Sequence, residues 1–384
     1  FEGWKDDPNQ LFDESQLPPL EERVRLFNLW FAAQCPSPSL LEAKVIPRFR
    51  LGAVATSAFA AEEVYLGVPT GFAASLGVMD AAVALRNSSV SILLAQLGAA
   101  YPRRDDFHEL LFFLVQEMFV VGKNGLFWPY LALLPTYAEM LPLVPQLWTR
   151  AEIAERLGPS DLTRLVMENR DQTRARFEAL KGMPLIVAHF PPHLFTFRHY
   201  QWATVILDSR SIWWGGKRHL VPMLDLVNCK EDVLNPSRLH GTELDAGGAF
   251  ALTKAARAYA PGEQVFENYG QPNHIYFVFH GFLLADNSHD CLHWELGLTQ
   301  PELDRLAPRV APILQKLRLS ATKPSTMTVC LSHPVTPSVW AYLAVKDNTY
   351  GELFEKKLLG VPTLGGVVSL LRMIDSRIAA YGGG

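Results

Sequence analysis

VFENYGQPNHIYFVFHGF, running from Val265 to Phe282, is the stretch whose reading decides the fold. It opens as a short β-rich run, passes a tight turn at Asn268-Tyr269-Gly270, and continues as an apolar helix that Gly281 closes. Upstream, LVPMLDLVNCKE (Leu220 to Glu231) sets Asp225 and Asn228 in an otherwise apolar run. An Asx side chain in such a run has polar groups to satisfy, so it caps, turns or binds.

Around this centre, composition excludes several classes. The chain has 384 residues, long for one domain, which implies two, with room for an insertion. An apolar fraction of 49%, with 11% aromatic, supports a large core and not a disordered chain. A formal net charge of -4 gives no basic surface by composition, so nucleic acid is not the expected partner. Cys35, Cys229, Cys291 and Cys330 form no C-x-x-C, which argues against a zinc cluster and a disulfide framework and fits a reducing intracellular compartment. The most apolar run, Leu110 to Val121, is too short to span a bilayer and carries Gln116 and Glu117; it reads as a buried helix. No metal is expected. Pro191 and Pro192 break the helix that would align His189 with His193, and His280, His289 and His293 lack a cysteine or carboxylate at ligand spacing.

In chain order, residues 1–18 read as a polar arm and Leu20 to Ala33 as an amphipathic helix ended by Pro36 and Pro38. Lys44 to Pro69 alternates β-rich runs with Gly and Pro, so hairpin strands are predicted, with Gly52 in a turn. Residues 72–185 read as almost wholly helical. Asp105 or Asp106 caps a helix through Val121, Thr149 with Glu152 forms a capping box ended by Gly158, and Ser160 caps Asp161 to Lys181. From Phe195 to Trp214 a helix-like run delivers Ser209 and Arg210 to its end. Beyond the polar link Asp286 to Asp290, helices are predicted at 300–318, 336–347 and 366–381.

An NYG turn followed by N-x7-G-F and preceded by D-x-x-N resembles the SET-domain protein methyltransferases, in particular the branch typified by the Rubisco large-subunit lysine methyltransferase. That resemblance implies an α+β fold: a SET β-fold interrupted by a helical insertion and followed by an all-α C-terminal domain. The segments are then an N-terminal arm and helix at 1–39, the first SET part at 40–71 and the insertion at 72–185. The second SET part, with the cofactor site, follows at 186–285, and a helical substrate-binding-like domain at 286–384.

The resemblance also implies S-adenosylmethionine as cofactor and a protein as substrate, methylated on a side-chain nitrogen, with lysine favoured over histidine. Tyr269 is the catalytic hydroxyl and His280 walls the acceptor channel. Leu51, Gly52, Ser209, Arg210, Asp225, Asn228, Cys229 and Phe282 hold the cofactor. Arg210 meets the carboxylate, to which a planar guanidinium is suited, and Phe282 packs on adenine. Asn273 caps the following helix. The chain departs from the pattern at Arg50, where the family has glycine, at Cys229, where it has histidine, and at His280, where it has tyrosine. These departures motivate the alternative of a catalytically inactive SET-fold binding module or structural subunit of a larger assembly. The expected compartment is the cytoplasm, with a plastid as alternative.

Overall fold

The computed structural model describes residues 17–35, 39–70, 90–100, 105–231 and 241–296, and, of the remainder, chiefly 325–330, 335–347, 349–358 and 360–382. The chain divides into two compact units, Phe1–Ala285 and Asp286–Gly384. The arm at 1–16, the start of the insertion at 71–89 and most of the helix predicted at 300–318 lie outside the described residues.

In the first unit, α1 (Leu20–Gln34) buries Val24, Phe27, Trp30 and Phe31, the apolar stripe its periodicity predicts. Strands β1 (Leu41–Ile46) and β2 (Arg50–Ala55) form an antiparallel hairpin, and β3 (Val64–Pro69) follows. The helical segment comprises α2 (Ser91–Ala100), α3 (Asp106–Val115), α4 (Arg150–Leu157) and α5 (Asp161–Lys181), with short turns between. Asp105 accepts from the His108 amide at the start of α3, Thr149 and Glu152 close a reciprocal box on α4, and Ser160 accepts from Thr163 on α5. Each oxygen satisfies an amide that the first helical turn leaves without a partner.

Helix α6 (Phe197–Arg210) is shorter than the sequence implied. The chain leaves the helix at Ser211, and Ile212–Trp214 is strand β4, paired antiparallel with β5 (Lys217–His219). The two glycines of the turn, Gly215 and Gly216, both take left-handed φ and allow the hairpin to close. A helix running on to Trp214 is therefore corrected, and Arg210 becomes the last helical residue.

The remaining strands assemble the centre. β7 (Thr242–Leu244) and β8 (Phe250–Lys254) join β3 in a three-stranded antiparallel sheet of order β3-β8-β7. β6 (Asn228–Cys229) and β9 (Phe266–Glu267) pair in parallel, Asn228 opposite Phe266 and Cys229 opposite Glu267. The two stretches that the sequence marked are thus laid side by side. β2 is tied to the same place by the Val265 amide, which donates to the Ala53 carbonyl at 2.9 Å. One apolar core has Phe27, Leu51, Tyr65, Phe112, Tyr130, Tyr200 and Val227 among its buried members, and a second cluster joins Ile153 of α4 and Val166 of α5 to Trp148 and Val278.

The second unit contains β10 (Cys291–Leu296) and β11 (Ser325–Cys330), an antiparallel pair, and helices α7 (Pro337–Lys346), α8 (Tyr350–Glu355) and α9 (Leu364–Gly382). Val339, Leu343 and Leu370 are in its core. The all-α expectation for this domain is corrected by the β10–β11 pair. It sets Cys291 opposite Cys330 and Leu296 opposite Ser325, partners too far apart in sequence for local periodicity to register.

Candidate active site

The last turn of α6, the segment around Asp225, and the Tyr269–Phe282 stretch surround a cavity of about 620 Å³. Tyr269, His280, Ser209, Arg210, Asp225, Asn228, Cys229 and Phe282 line it, as do Arg50 and Glu139. Leu51 and Gly52 are not in its wall; they lie in β2, next to Arg50.

At the bottom is Asp225, its side chain fully enclosed (0% exposed) against 19% for Arg210. The Arg210 Nη1 donates to the Asp225 backbone carbonyl at 2.9 Å and to Oδ2 at 3.2 Å, and the Tyr130 hydroxyl donates to Oδ2 at 2.9 Å. Burial raises the Asp225 carboxyl above the usual carboxylate range, against the pull of Arg210 and Tyr130. Its second oxygen, Oδ1, is buried with no hydrogen-bond partner. An enclosed carboxylate oxygen in that state is costly unless a ligand donates to it. Arg210 spends only one of its guanidinium nitrogens on these bonds, which leaves the rest of its fork for an anion. Side by side, the two groups present a cation and a carboxylate to whatever enters.

Asn228 is partly committed. Its Nδ2 donates to the Leu51 carbonyl at 2.8 Å, tying β6 to β2. Gly52 makes that approach feasible: a Cβ there would lie 2.7 Å from Gln264 Nε2, 2.9 Å from Ile46 Cγ1 and 3.1 Å from Asn228 Nδ2. Gly52→Ala is therefore expected to cost about 1–3 kcal/mol through overpacking, read as a lower midpoint in thermal unfolding. An unshifted midpoint would show that the Asn228–Leu51 tie gives way freely. Ser209 lines the wall, but its hydroxyl proton goes to the Val205 carbonyl at 2.7 Å. Cys229 is buried, and burial pushes its thiol up, so it contributes packing rather than a thiolate.

Arg50 occupies a position where glycine's freedom is needed, at φ 63°. A left-handed non-glycine residue costs about 1–2 kcal/mol, and three side-chain bonds offset it here. Arg50 Nε donates to Glu139 Oε1 at 2.8 Å, Nη1 to the Leu133 carbonyl at 2.8 Å and Nη2 to the Leu134 carbonyl at 3.4 Å. The departure at Arg50 thus keeps the glycine-like turn and latches the hairpin to the helical segment. Glu139 escaped the sequence reading although its T-x-x-E spacing was legible. Its Oε2 closes a capping box on Thr136 at 2.8 Å while Oε1 holds Arg50. Tyr130, which holds Asp225, was also missed; nothing local marks it as the partner of a carboxylate 95 positions further on.

Tyr269 is half-buried, with its hydroxyl directed inward and donating to the Val227 carbonyl at 2.6 Å. Burial raises that phenol well above its ordinary value, so it stays protonated. Gly281 takes φ 75° as the left-handed end of the helix, and a Cβ there would come 3.0 Å from the Leu143 carbonyl. This turn brings both His280 and Phe282 to the cavity wall. Phe282 stacks on Tyr276, ring centroids 4.9 Å apart, and meets Tyr269 edge-on at 6.4 Å. Asn273 does not cap its own helix. Its amide group instead pins Leu284 through two hydrogen bonds, of 2.8 and 2.9 Å, fixing the chain just past Phe282. Among the described residues no cluster of His, Cys, Asp or Glu is placed to hold a metal, and no helix is long and apolar enough to cross a membrane.

No family model matches the chain. The actin-histidine N-methyltransferase of Danio rerio is 29% identical over 166 residues, covering 41% of this chain and 26% of that protein. The actin-histidine N-methyltransferase of Canis lupus familiaris is 29% identical over 186 residues, covering 46% of this chain and 29% of that protein. The match thus spans less than a third of these curated relatives' length. Among solved structures, the SET domain of LSMT bound to lysine and AdoHcy superposes with a TM-score of 0.63 at 18% identity, over 86% of this chain and 72% of that one. Rubisco LSMT bound to AdoMet gives 0.62 at 18% identity, over 88% and 73%. The chain has the SET-domain fold of these solved structures, and its curated sequence relatives are actin-histidine N-methyltransferases.

Proposed function

We propose that this chain transfers a methyl group from S-adenosylmethionine to a side-chain nitrogen of a protein, with lysine favoured over histidine. The observation that carries this reading is the Arg210–Asp225 pair. An enclosed carboxylate oxygen without a partner, beside a guanidinium with unused donors, fits the ammonium and carboxylate of an α-amino acid. Aromatic faces at Phe49, Phe266 and Phe282 in the same wall fit a flat base. The cofactor, when bound, supplies a methyl already activated by its sulfonium.

The residues do the rest by alignment and desolvation. Arg210 and Asp225 fix the amino-acid end, and Asn228 fixes the wall through Leu51. Tyr269 keeps its proton on Val227, so its ring is rigid and its oxygen faces the reaction as an acceptor. A lysine amine, with reference pKa about 10.4, must be neutral to attack, and the apolar walls around Tyr269 and Phe282 favour that form. Holding the reacting atoms in line then contributes the larger share of the rate.

Cofactor recognition is tested by thermal shift with S-adenosylmethionine. At a hundredfold excess over the dissociation constant the folded state gains about 2.7 kcal/mol, a clear rise in midpoint. No rise at millimolar concentration would overturn the reading. A rise with no methyl incorporated into any protein extract would leave a binding module. Arg210→Ala is expected to weaken S-adenosylhomocysteine binding by about 1.5–3 kcal/mol, the range for a hydrogen bond to a charged group. Calorimetry returning wild-type affinity would take Arg210 out of the site.

A further inference from the structure

The Arg210–Asp225 pair is joined in the weaker of the two ways open to it. A guanidinium and a carboxylate often close fork to fork, through two parallel N–H···O bonds. Here only Nη1 of Arg210 reaches the side chain, 3.2 Å from Oδ2, and it is shared with the Asp225 backbone carbonyl at 2.9 Å. Oδ1 is buried with no hydrogen-bond partner, beside a guanidinium that could serve it. The other bond to the carboxylate accounts for this arrangement. The Tyr130 hydroxyl donates to the same Oδ2 at 2.9 Å. Tyr130 is fully buried and is not in the cavity wall. Its ring packs against Phe27 and Trp30 of α1, with centroids 6.3 and 6.4 Å away. Just past it, Arg23 of α1 donates to the Ala132 carbonyl at 3.0 Å. The hydroxyl is therefore delivered by a ring that the core holds in place.

We propose that Tyr130 is a positioning residue that keeps the Arg210–Asp225 pair open: by holding Oδ2 it stops the carboxylate from closing a fork with Arg210, and so reserves Oδ1 and the rest of the guanidinium for the two ends of an α-amino acid. This rests on the cofactor reading above. It adds that recognition of the amino-acid end is set from α1, through a side chain that does not touch the ligand. Without the hydroxyl, Oδ2 keeps only its share of one Arg210 nitrogen. Rotation about Cβ–Cγ then lets both oxygens meet the guanidinium, and the closed fork stabilises the empty site. A ligand must break that fork before its ammonium and carboxylate find partners, so its apparent affinity falls by the fraction of the protein that stays open. A nucleoside thioether without the amino-acid end makes no use of the pair and is indifferent to whether it is open.

The test is calorimetry on the full chain with two probes, S-adenosylhomocysteine and 5′-methylthioadenosine, which share the nucleoside and thioether and differ in the amino-acid end. Tyr130→Phe is expected to weaken S-adenosylhomocysteine at least about tenfold and to leave 5′-methylthioadenosine within about twofold of wild type. The second probe also shows that the variant is folded around an intact nucleoside site. In an Arg210→Lys background, where an ammonium cannot close a fork, Tyr130→Phe should cost less than about threefold. Wild-type S-adenosylhomocysteine affinity in Tyr130→Phe would overturn the proposal. So would an equal loss for both probes, which makes Tyr130 a support of the whole cavity, and so would the same tenfold loss in both backgrounds, which removes the fork. A wild-type chain that binds S-adenosylhomocysteine no more tightly than 5′-methylthioadenosine, or binds neither, would instead overturn the reading of the Arg210–Asp225 pair on which it stands.

Discussion

Asp225→Ala is expected to destabilise the first unit by about 3–5 kcal/mol, the range for removing one partner of a buried ion pair. The carboxylate is fully enclosed and engages both Arg210 and Tyr130. Deleting it leaves a guanidinium facing a cavity with no counter-charge and a buried phenol with no acceptor, and each loss carries a desolvation cost. Asp225→Asn should cost less, because the amide oxygen can still accept from Tyr130 while the charge on Arg210 goes unanswered. Combining Asp225→Asn with Arg210→Gln should recover part of the loss, since the two sites are in contact and their effects are not additive. Urea titration followed by circular dichroism measures this directly. A midpoint for Asp225→Ala within experimental error of wild type would mean that the pair contributes nothing and that Arg210 is held by other groups.

Tyr269→Phe should lower turnover by about two to three orders of magnitude, the scale for losing one preorganised polar group at a reacting centre. Its effect on folding should be far smaller. The substitution removes one hydroxyl and its bond to the Val227 carbonyl, a net loss of about 1 kcal/mol, while the ring keeps its contacts with Tyr276 and Phe282. Turnover and stability therefore separate in this variant, where in Asp225→Ala they fall together. Single-turnover measurements with labelled methyl donor, alongside a thermal melt, distinguish the two. Turnover within about fivefold of wild type, well short of that scale, would remove the hydroxyl from the mechanism and leave Tyr269 as a wall of the cavity.

What the sequence determined by itself is local. The capping box at Thr149–Glu152 and the cap at Ser160 are legible because a helix end is set by side chains within three or four residues of it. The D-x-x-N and N-Y-G segments likewise announce themselves, since polar residues in apolar runs must be satisfied by something. What satisfies them was decided only in three dimensions. Asn228 reaches the carbonyl of Leu51, 177 positions away, Tyr130 reaches Asp225 across 95, and Arg50 is held by Glu139 across 89. No periodicity carries such a pairing, because it depends on how β2, the helical lobe and the parallel β6–β9 pair come together. The same limit explains the end of α6: Phe195 to Trp214 carries no glycine or proline to mark a stop, and the break at Ser211 is set by the β4–β5 hairpin that forms beyond it. Residue identity thus named the groups at this site. Packing of distant segments decided which of their donors and acceptors are already spent and which face the cavity, because a hydrogen-bonding atom committed to the protein has nothing left to offer a ligand.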